Sequence, residues 1–281
     1  MYRQYWNLNA LPFLNVMDDR FVYMTEQHME GLSRLIFLVS DGRMAGMLTG
    51  PLGVGKSMTL ALLEHHAEKE KIPVVRMDAI PNGVLPMARY LLRSIGITDQ
   101  PTTFADALML LQMHCKTVTN SPRWLLLIDE AHYLASEKDG PYFAHYLCNL
   151  RVQARNGQEE PLFTLVLVGT SELRDMVNNY ESLRRRIQLD WVLDPLTEAQ
   201  TTEYIQHRIR NSGGDIWVFT PDALSEVYRW TQGVPRNINH LCDTALMLGF
   251  AAQVSQVSRE IVRQAAHDTA LDAAELVADT K

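Results

Sequence analysis

The stretch Gly50-Pro51-Leu52-Gly53-Val54-Gly55-Lys56-Ser57 fits the pattern G-x-x-x-x-G-K-[ST] at every required position and carries a third glycine inside it. Its flanks fit too. Ala45 to Thr49 reads as a short apolar strand and Ser57 to His66 as a helix. A strand, a glycine-rich turn and a helix start make an anion cradle. Successive backbone N–H groups converge there, and the helix N-terminus adds partial positive charge. Glycines let the backbone approach phosphate oxygens with no Cβ in the way. Gly50, Gly53, Val54, Gly55 and Met58 line or flank this cradle. Lys56 is placed to reach the β- and γ-phosphates of ATP, and the Ser57 hydroxyl to ligate Mg²⁺.

A second motif lies downstream. Trp124 to Ile128 is wholly apolar, as a central parallel strand buried on both faces should be. It ends in Asp129-Glu130-Ala131-His132. An Asp at the carboxyl end of such a strand points into the crevice where open α/β sheets bind nucleotides. Asp129 is expected to hold the Mg²⁺ shell, largely through water, because Mg²⁺ dehydrates reluctantly. Glu130 is suited to orient or deprotonate an attacking water. Asp-Glu after a strand also suits a helix N-cap. The upstream phosphate loop favours the catalytic reading.

Composition narrows the class. The chain has 281 residues, 47% hydrophobic and 21% charged, the balance of a globular protein. No run of 18 apolar residues occurs, and the N-terminus has no apolar core after its basic residue, so a cytoplasmic location is expected. Cys115, Cys148 and Cys242 lie far apart and form no metal-type pair. The nine histidines show no ligand spacing. A net charge of −7 argues against broad electrostatic binding of nucleic acid, although Arg184-Arg185-Arg186 is a local basic triplet.

Strands and helices alternate through the first two thirds of the chain, so a parallel sheet with helices on both faces is expected. Helical periodicity covers Glu26 to Val39, Val84 to Ser94, Phe104 to Thr117 and about Tyr142 to Ala154. Further strands read as Pro73 to Met77, Leu162 to Val168 and Ile187 to Leu193. From Thr197 onward only helices are expected: Glu198 to Asn211, Pro221 to Trp230, Asn237 to Val254 and Ser258 to Leu276, with Ser258 as N-cap. The expected division is an N-terminal arm and helix over 1–44 packing on the nucleotide site, an α/β nucleotide domain over 45–195 and a helical lid over 196–281.

Three further constellations stand out. Gly233-Val-Pro-Arg236-Asn-Ile-Asn239 puts Arg236 in the first turn of a helix, where the dipole disfavours a cation unless an anion compensates. A γ-phosphate is one candidate, and an ordinary exposed Arg is the alternative. Thr170 and Ser171 close the strand expected beside Trp124 to Ile128, where a small polar side chain can hold the attacking water or cap the next helix. The Arg184 to Arg186 cluster suits a phosphate clamp on a neighbouring subunit's nucleotide. It also suits a solvated basic helix end.

Taken in order, GPLGVGKS, LLLIDEAH, LVLVGT, the arginine cluster and GVPRNIN resemble an AAA+ ATPase. That resemblance implies a three-layer α/β P-loop NTPase fold with a C-terminal helical lid. It implies that Lys56, Ser57 and Asp129 bind MgATP and that Glu130 is the general base. Thr170 would be the first sensor and Arg236 the second. Arg186, which precedes Ile187 as in the family's R-I pair, would be the finger inserted into the adjacent protomer of a ring or filament. The start of the chain, with Pro12-Phe13 and Asp19-Arg-Phe-Val-Tyr23, is similar to general-secretion ATPases of the ExeA/GspA type. In that type this segment would close over the adenine, with Pro12 and Phe13 nearby, and the partner is membrane-bound secretion machinery; a packed N-terminal arm is the equal alternative for the segment. Members of that type continue into a membrane helix and a wall-binding domain, whereas this sequence stops at the lid. Gly169-Thr170-Ser171, where that type has Gly-Gln-Pro, is similar instead to TnsC/TniB/MuB-type transposition ATPases, which bind DNA in ATP-dependent filaments. A nucleotide switch with negligible turnover is a further reading.

Overall fold

The computed structural model describes residues 2–16, 18–81, 83–118, 122–153 and 157–269. Two compact units emerge, one of residues 26–51 and 56–193, the other of 1–25, 52–55 and 194–281.

The first unit is built on strands β1 (Ala45–Thr49), β2 (Val74–Asp78), β3 (Trp124–Asp129), β4 (Arg151–Gln153), β5 (Glu159–Pro161), β6 (Phe163–Gly169) and β7 (Ile187–Val192). Five form one parallel sheet in the order β2-β3-β6-β1-β7, and β4 and β5 pair as a small antiparallel ladder. The three central strands are buried along almost their whole length. Their alternation feeds two helical layers. Met47, Val75, Leu126, Ile128, Phe163 and Leu165 share a core with helices Val84–Ser94, Phe104–Thr117 and Gly140–Asn149. On the other face lie Glu26–Ser40 and Lys56–Lys69. There Leu38 packs over Gly46, which leaves no room for a side chain: a Cβ on Gly46 would lie 2.9 Å from Leu38 Cδ2. The three-layer α/β fold is therefore present.

Most elements fall within two or three residues of their sequence-based bounds. The helix expected to run to Ala154 ends at Asn149 instead. Leu150 turns extended (φ −66°, ψ 127°), and the alternation of buried Val152 with more exposed neighbours makes β4. Residue 154 lies outside the described residues. Helix Ser171–Asn179 begins where Ser171 suits a cap, and Glu181–Arg184 ends in the arginine cluster that also suits a basic helix end, although the sequence sets the bounds of neither.

The second unit is helical: Glu198–Asn211, Pro221–Thr231, Pro235–Ala251 and Arg259–Asp268, with a short 3-10 turn at Ile216–Val218. Thr197 starts the first of these with a capping box to Gln200. Ser258 occupies the N-cap of the last, but its hydroxyl goes to the Glu260 carboxylate at 2.8 Å instead of accepting from a backbone N–H. The expected continuation to Leu276 lies outside the described residues beyond 269. The N-terminal 25 residues belong to this unit. Trp6, Leu8 and Phe13 join its core, and Trp6 Nε1 donates to the Leu246 carbonyl at 3.0 Å. The segment 1–44 therefore divides after Thr25: the helix from Glu26 packs on the sheet of the first unit, and the residues before it belong to the helical unit.

Candidate nucleotide site

At the carboxyl end of β1 the chain enters the glycine-rich loop. Gly53 and Gly55 take φ values of +82° and +111°, which side chains rarely tolerate. Gly53 is constrained twice over. A Cβ there would lie 2.7 Å from Arg236 Cβ and 3.1 Å from Val234 Cγ1. Arg236 is in the first turn of Pro235–Ala251, and its backbone N–H reaches the Gly53 carbonyl at 3.4 Å. One otherwise unpaired N–H of that helix start is thereby satisfied. Val54 is fully buried, while Ser57 is exposed and Met58 half-buried.

Lys56 begins helix Lys56–Lys69 and is only 7% exposed. Its ammonium donates to the Gly50 carbonyl at 2.7 Å and to the Pro51 carbonyl at 2.8 Å. A buried ammonium whose hydrogen bonds run to the loop's own carbonyls sits where an anion arriving at the loop would meet it.

Asp129 closes β3 and is 5% exposed. Its Oδ2 accepts from Ser57 Oγ at 3.1 Å and from Arg76 Nη2 at 3.3 Å, and its Oδ1 accepts from the Glu130 backbone N–H at 3.0 Å. Arg76, on β2, also pairs with Glu64 Oε2 at 3.4 Å. A hydroxyl and a carboxylate oxygen side by side form a hard, all-oxygen donor pair. That suits Mg²⁺, which takes one or two protein ligands and completes its shell with phosphate and water. Among the described residues no group of three or more His, Cys, Asp or Glu is placed to hold a metal ion.

Glu130 follows in the left-handed conformation, φ +50° and ψ 30°. Such a backbone is unusual for a non-glycine residue and costs of order 1–3 kcal/mol. Its Oε2 lies 3.4 Å from His132 Nδ1, and neither atom makes a hydrogen bond among the described residues. The carboxylate is thus turned out of the strand and left with spare accepting capacity. Thr170 follows β6, the neighbour of β3, as expected. Its hydroxyl donates to the Glu172 carboxylate, and this contact, with the Glu172 backbone N–H, holds the Glu172 carboxyl below its usual range despite some burial. Thr170 makes no side-chain cap contact to Ser171–Asn179.

Other expected residues lie elsewhere. Arg186 immediately precedes β7, whose first residue pairs with Ala45 at the start of β1. That is the edge of the sheet opposite Gly50, so the unit does not bring Arg186 to its own loop. Arg185 is tied to Glu181 at 2.5 Å, and Arg184 is exposed. In the helical unit Phe13 is 2% exposed and packs edge-on against Phe219, and the Pro12 carbonyl accepts from Arg208 Nε.

Sequence reasoning missed Arg76, Glu64 and the pairing role of His132. Arg76 interrupts an otherwise apolar strand, and a charge at such a position is the signal that could have found it. His132 was set aside because the histidines lack metal-ligand spacing, although its offset from Glu130 was visible.

Among the described residues no helix is long and apolar enough to cross a membrane. Residues 39–177 match the family model described as an AAA domain. The chain is 28% identical over 278 residues to general secretion pathway protein A of Aeromonas hydrophila, covering 95% of this chain and 48% of that protein. It therefore spans about half the length of this curated relative. Among solved structures it resembles the Aeropyrum pernix ORC2 protein in its ADPNP-ADP complexes, with a TM-score of 0.67, 15% identity and coverage of 92% of this chain and 70% of that one. It also resembles the Aeropyrum pernix ORC1 protein in complex with DNA, with a TM-score of 0.65, 16% identity and coverage of 90% and 68%. With the phosphate loop at the end of β1 and Asp129 at the end of β3, residues 39–177 match an AAA domain, and the chain has the fold of the P-loop AAA+ proteins.

Proposed function

We propose that the chain binds MgATP on the Gly50–Ser57 loop and hydrolyses it. The observation that carries this reading is the contact of Ser57 Oγ with Asp129 Oδ2, next to Lys56 on the loop carbonyls and Glu130 one residue on. Lys56 and the loop N–H groups bind the β- and γ-phosphates. Ser57 and Asp129 hold Mg²⁺, which when bound offsets charge on the phosphate oxygens. Glu130 orients a water and takes its proton as the water oxygen attacks the γ-phosphorus. The bond to the bridging oxygen breaks and its electron pair leaves with ADP. Thr170 positions that water, and Arg236, whose backbone holds Gly53, reads the phosphate. Pro12 and Phe13 flank the adenine by way of the segment they belong to. Arg186 supplies the finger to a second copy, because it lies at the sheet edge opposite its own loop.

The ATP cycle drives assembly or remodelling of a partner complex. Similarity over 95% of the chain to a general secretion pathway protein favours secretion machinery as the partner. A second reading, a DNA-bound regulator of the transposition type, draws on Gly169-Thr170-Ser171 and on the likeness to a protein solved with DNA. The −7 charge weighs against it for isolated protomers.

The test is phosphate release from MgATP at rising protein concentration. The rate per chain should climb as copies associate. A rate per chain that is flat on dilution contradicts a shared site. No release at any concentration, with ATP still bound, leaves a nucleotide switch. No shift of duplex DNA at low salt with a non-hydrolysable ATP analogue removes the DNA reading.

A further inference from the structure

A second guanidinium stands beside Arg186. Arg151, the first residue of β4, points Nη2 at Met44 Sδ (3.2 Å), and Arg186 Nη1 reaches the same sulfur at 4.0 Å. Met44 precedes β1, so both arginines sit at the amino edge of the sheet. Arg151 is fixed by donating from Nη1 to the Cys148 carbonyl at 2.8 Å and the Leu150 carbonyl at 3.1 Å, at the end of helix Gly140–Asn149. Among the described residues neither arginine has a carboxylate within ion-pair distance; the Glu159 charge acts on Arg151 from further off, and three other acids of these segments pair with other arginines. Glu160 pairs with Arg123 at 3.7 Å, Asp41 with Arg43 at 2.5 Å and Glu181 with Arg185 at 2.5 Å. Both arginines are half-buried.

We propose that Arg151 and Arg186 form one clamp for a phosphate dianion, and that this phosphate is the terminal one of ATP held by a second copy of the chain. The proposal rests on the ATP-hydrolysis reading above. Two like charges held at one point without a carboxylate call for a compact dianion, and guanidinium forks match phosphate oxygens in charge and geometry. Burial and the Arg186 charge together pull Arg151 below the usual guanidinium range, as expected for a cation short of an anion. Convergence on one sulfur suits a single phosphate better than a row of them. The Glu159 charge that acts on Arg151 would repel an extended polyanion such as DNA. The phosphate cannot come from the unit's own loop, which leaves the opposite edge of the sheet.

The test uses Arg151→Gln, which can still donate to the helix-end carbonyls but has no charge. Arg151→Lys, which keeps the charge without the fork, guards against misfolding, and thermal melting confirms that both variants fold. Binding of a fluorescent ATP analogue should stay within about twofold of wild type. Turnover of Arg151→Gln should fall about tenfold to a hundredfold, less than for loss of a lone finger because Arg186 remains. The decisive readout is subunit mixing. Lys56→Ala chains should rescue Arg151→Gln and should also rescue Arg186→Ala, since a mixed interface pairs an intact loop with an intact clamp. Arg151→Gln and Arg186→Ala should not rescue each other, because every mixed interface lacks one guanidinium. Wild-type turnover in Arg151→Gln, or mutual rescue of the two clamp variants, overturns the clamp while leaving the trans finger standing. So does loss of DNA binding with turnover intact. Failure of Lys56→Ala to rescue even Arg186→Ala overturns the shared site itself, and the clamp with it.

Discussion

Glu130 in the sheet unit and Glu226 in the helical unit are both acids beside basic side chains, yet they are treated in opposite ways. Glu226 is 3% exposed and saturated: Arg229 lies at 2.8 Å, Arg263 at 3.0 Å, Arg259 at 3.6 Å, and Trp230 Nε1 donates at 3.0 Å. Glu130 sits on a left-handed backbone with one carboxylate oxygen unbonded, 3.4 Å from an equally unbonded His132 nitrogen. The arginines divide likewise. Arg208 is buried in the helical unit and satisfied by the Pro12 and Leu14 carbonyls and the Tyr204 hydroxyl, with Tyr204 in turn donating to Asn239, which binds Asn15. Arg151 and Arg186 share a sulfur and have no carboxylate. Saturated polar networks fix a fold, and unsaturated ones keep binding capacity for something else. The two kinds of site should therefore respond to substitution in opposite ways.

The largest expected effect is at Glu130. Glu130→Gln should retain MgATP binding and lose ~10²–10⁴-fold in turnover, the usual range for a lost general base. Its unfolding free energy should not fall. Near-normal turnover in a phosphate-release assay would move the base elsewhere, and a large loss of stability would break the contrast with Glu226.

Arg208→Ala should do the reverse. It strands the buried Pro12 carbonyl, frees the part-buried Leu14 carbonyl, takes one donor from the buried Tyr204 hydroxyl and removes stacking on Phe21, whose ring centroid lies 5.1 Å away. A loss of about 3 kcal/mol in chemical denaturation is expected. A change under 1 kcal/mol would show that the network is not structural.

Glu226→Gln should cost about 2 kcal/mol at neutral pH, less than a fully buried pair because its arginine partners are partly exposed. Burial pushes this carboxyl up, but the hydrogen bonds from Arg263 and Trp230 and the charges of Arg229 and Arg263 outweigh it and hold it below its usual 4.5. Its charged form therefore stabilises the fold above that ordinary value, and the contribution fades as pH falls through the lower folded value. The gap between wild type and variant should narrow below about pH 4.5. A gap independent of pH would remove the ionic explanation.

The smallest effect separates a pairing cation from a catalytic one. Arg76 competes for the carboxylate oxygen of Asp129 that Ser57 also touches. Arg76→Ala should leave nucleotide affinity in excess Mg²⁺ unchanged and lower the Mg²⁺ concentration needed for it a few-fold, because one competing charge is gone. A binding titration against Mg²⁺ reads this directly. An unchanged Mg²⁺ requirement would confine Arg76 to a bridge between strand and helix.

Much of the sheet unit was legible in the sequence. The loop pattern, the apolar β3 run and the Asp at its end are local signals, and they place Lys56, Ser57 and Asp129 on the elements that the structure shows. The bounds of Val84–Ser94, Phe104–Thr117 and Glu198–Asn211 follow from periodicity and caps. What was not legible depends on pairing at a distance. The turn from helix to β4 at Leu150 competes with continued helical propensity and is settled by packing. Arg151 meets Arg186 only because β4 and the start of β7 both reach Met44. Residues 1–25 carry their aromatic side chains into the helical core, which no spacing in that segment announces.

The most direct test of the division between a site that binds and a core that holds is Lys56→Ala, followed by ATP binding, ATP turnover and chemical denaturation on the same preparation. Lys56 supplies the loop's ammonium to the phosphates, and that ammonium donates to the Gly50 and Pro51 carbonyls. The expected result is loss of ATP binding and turnover with the unfolding midpoint held close to wild type. Wild-type affinity and rate in Lys56→Ala would contradict the assignment of the nucleotide to this loop.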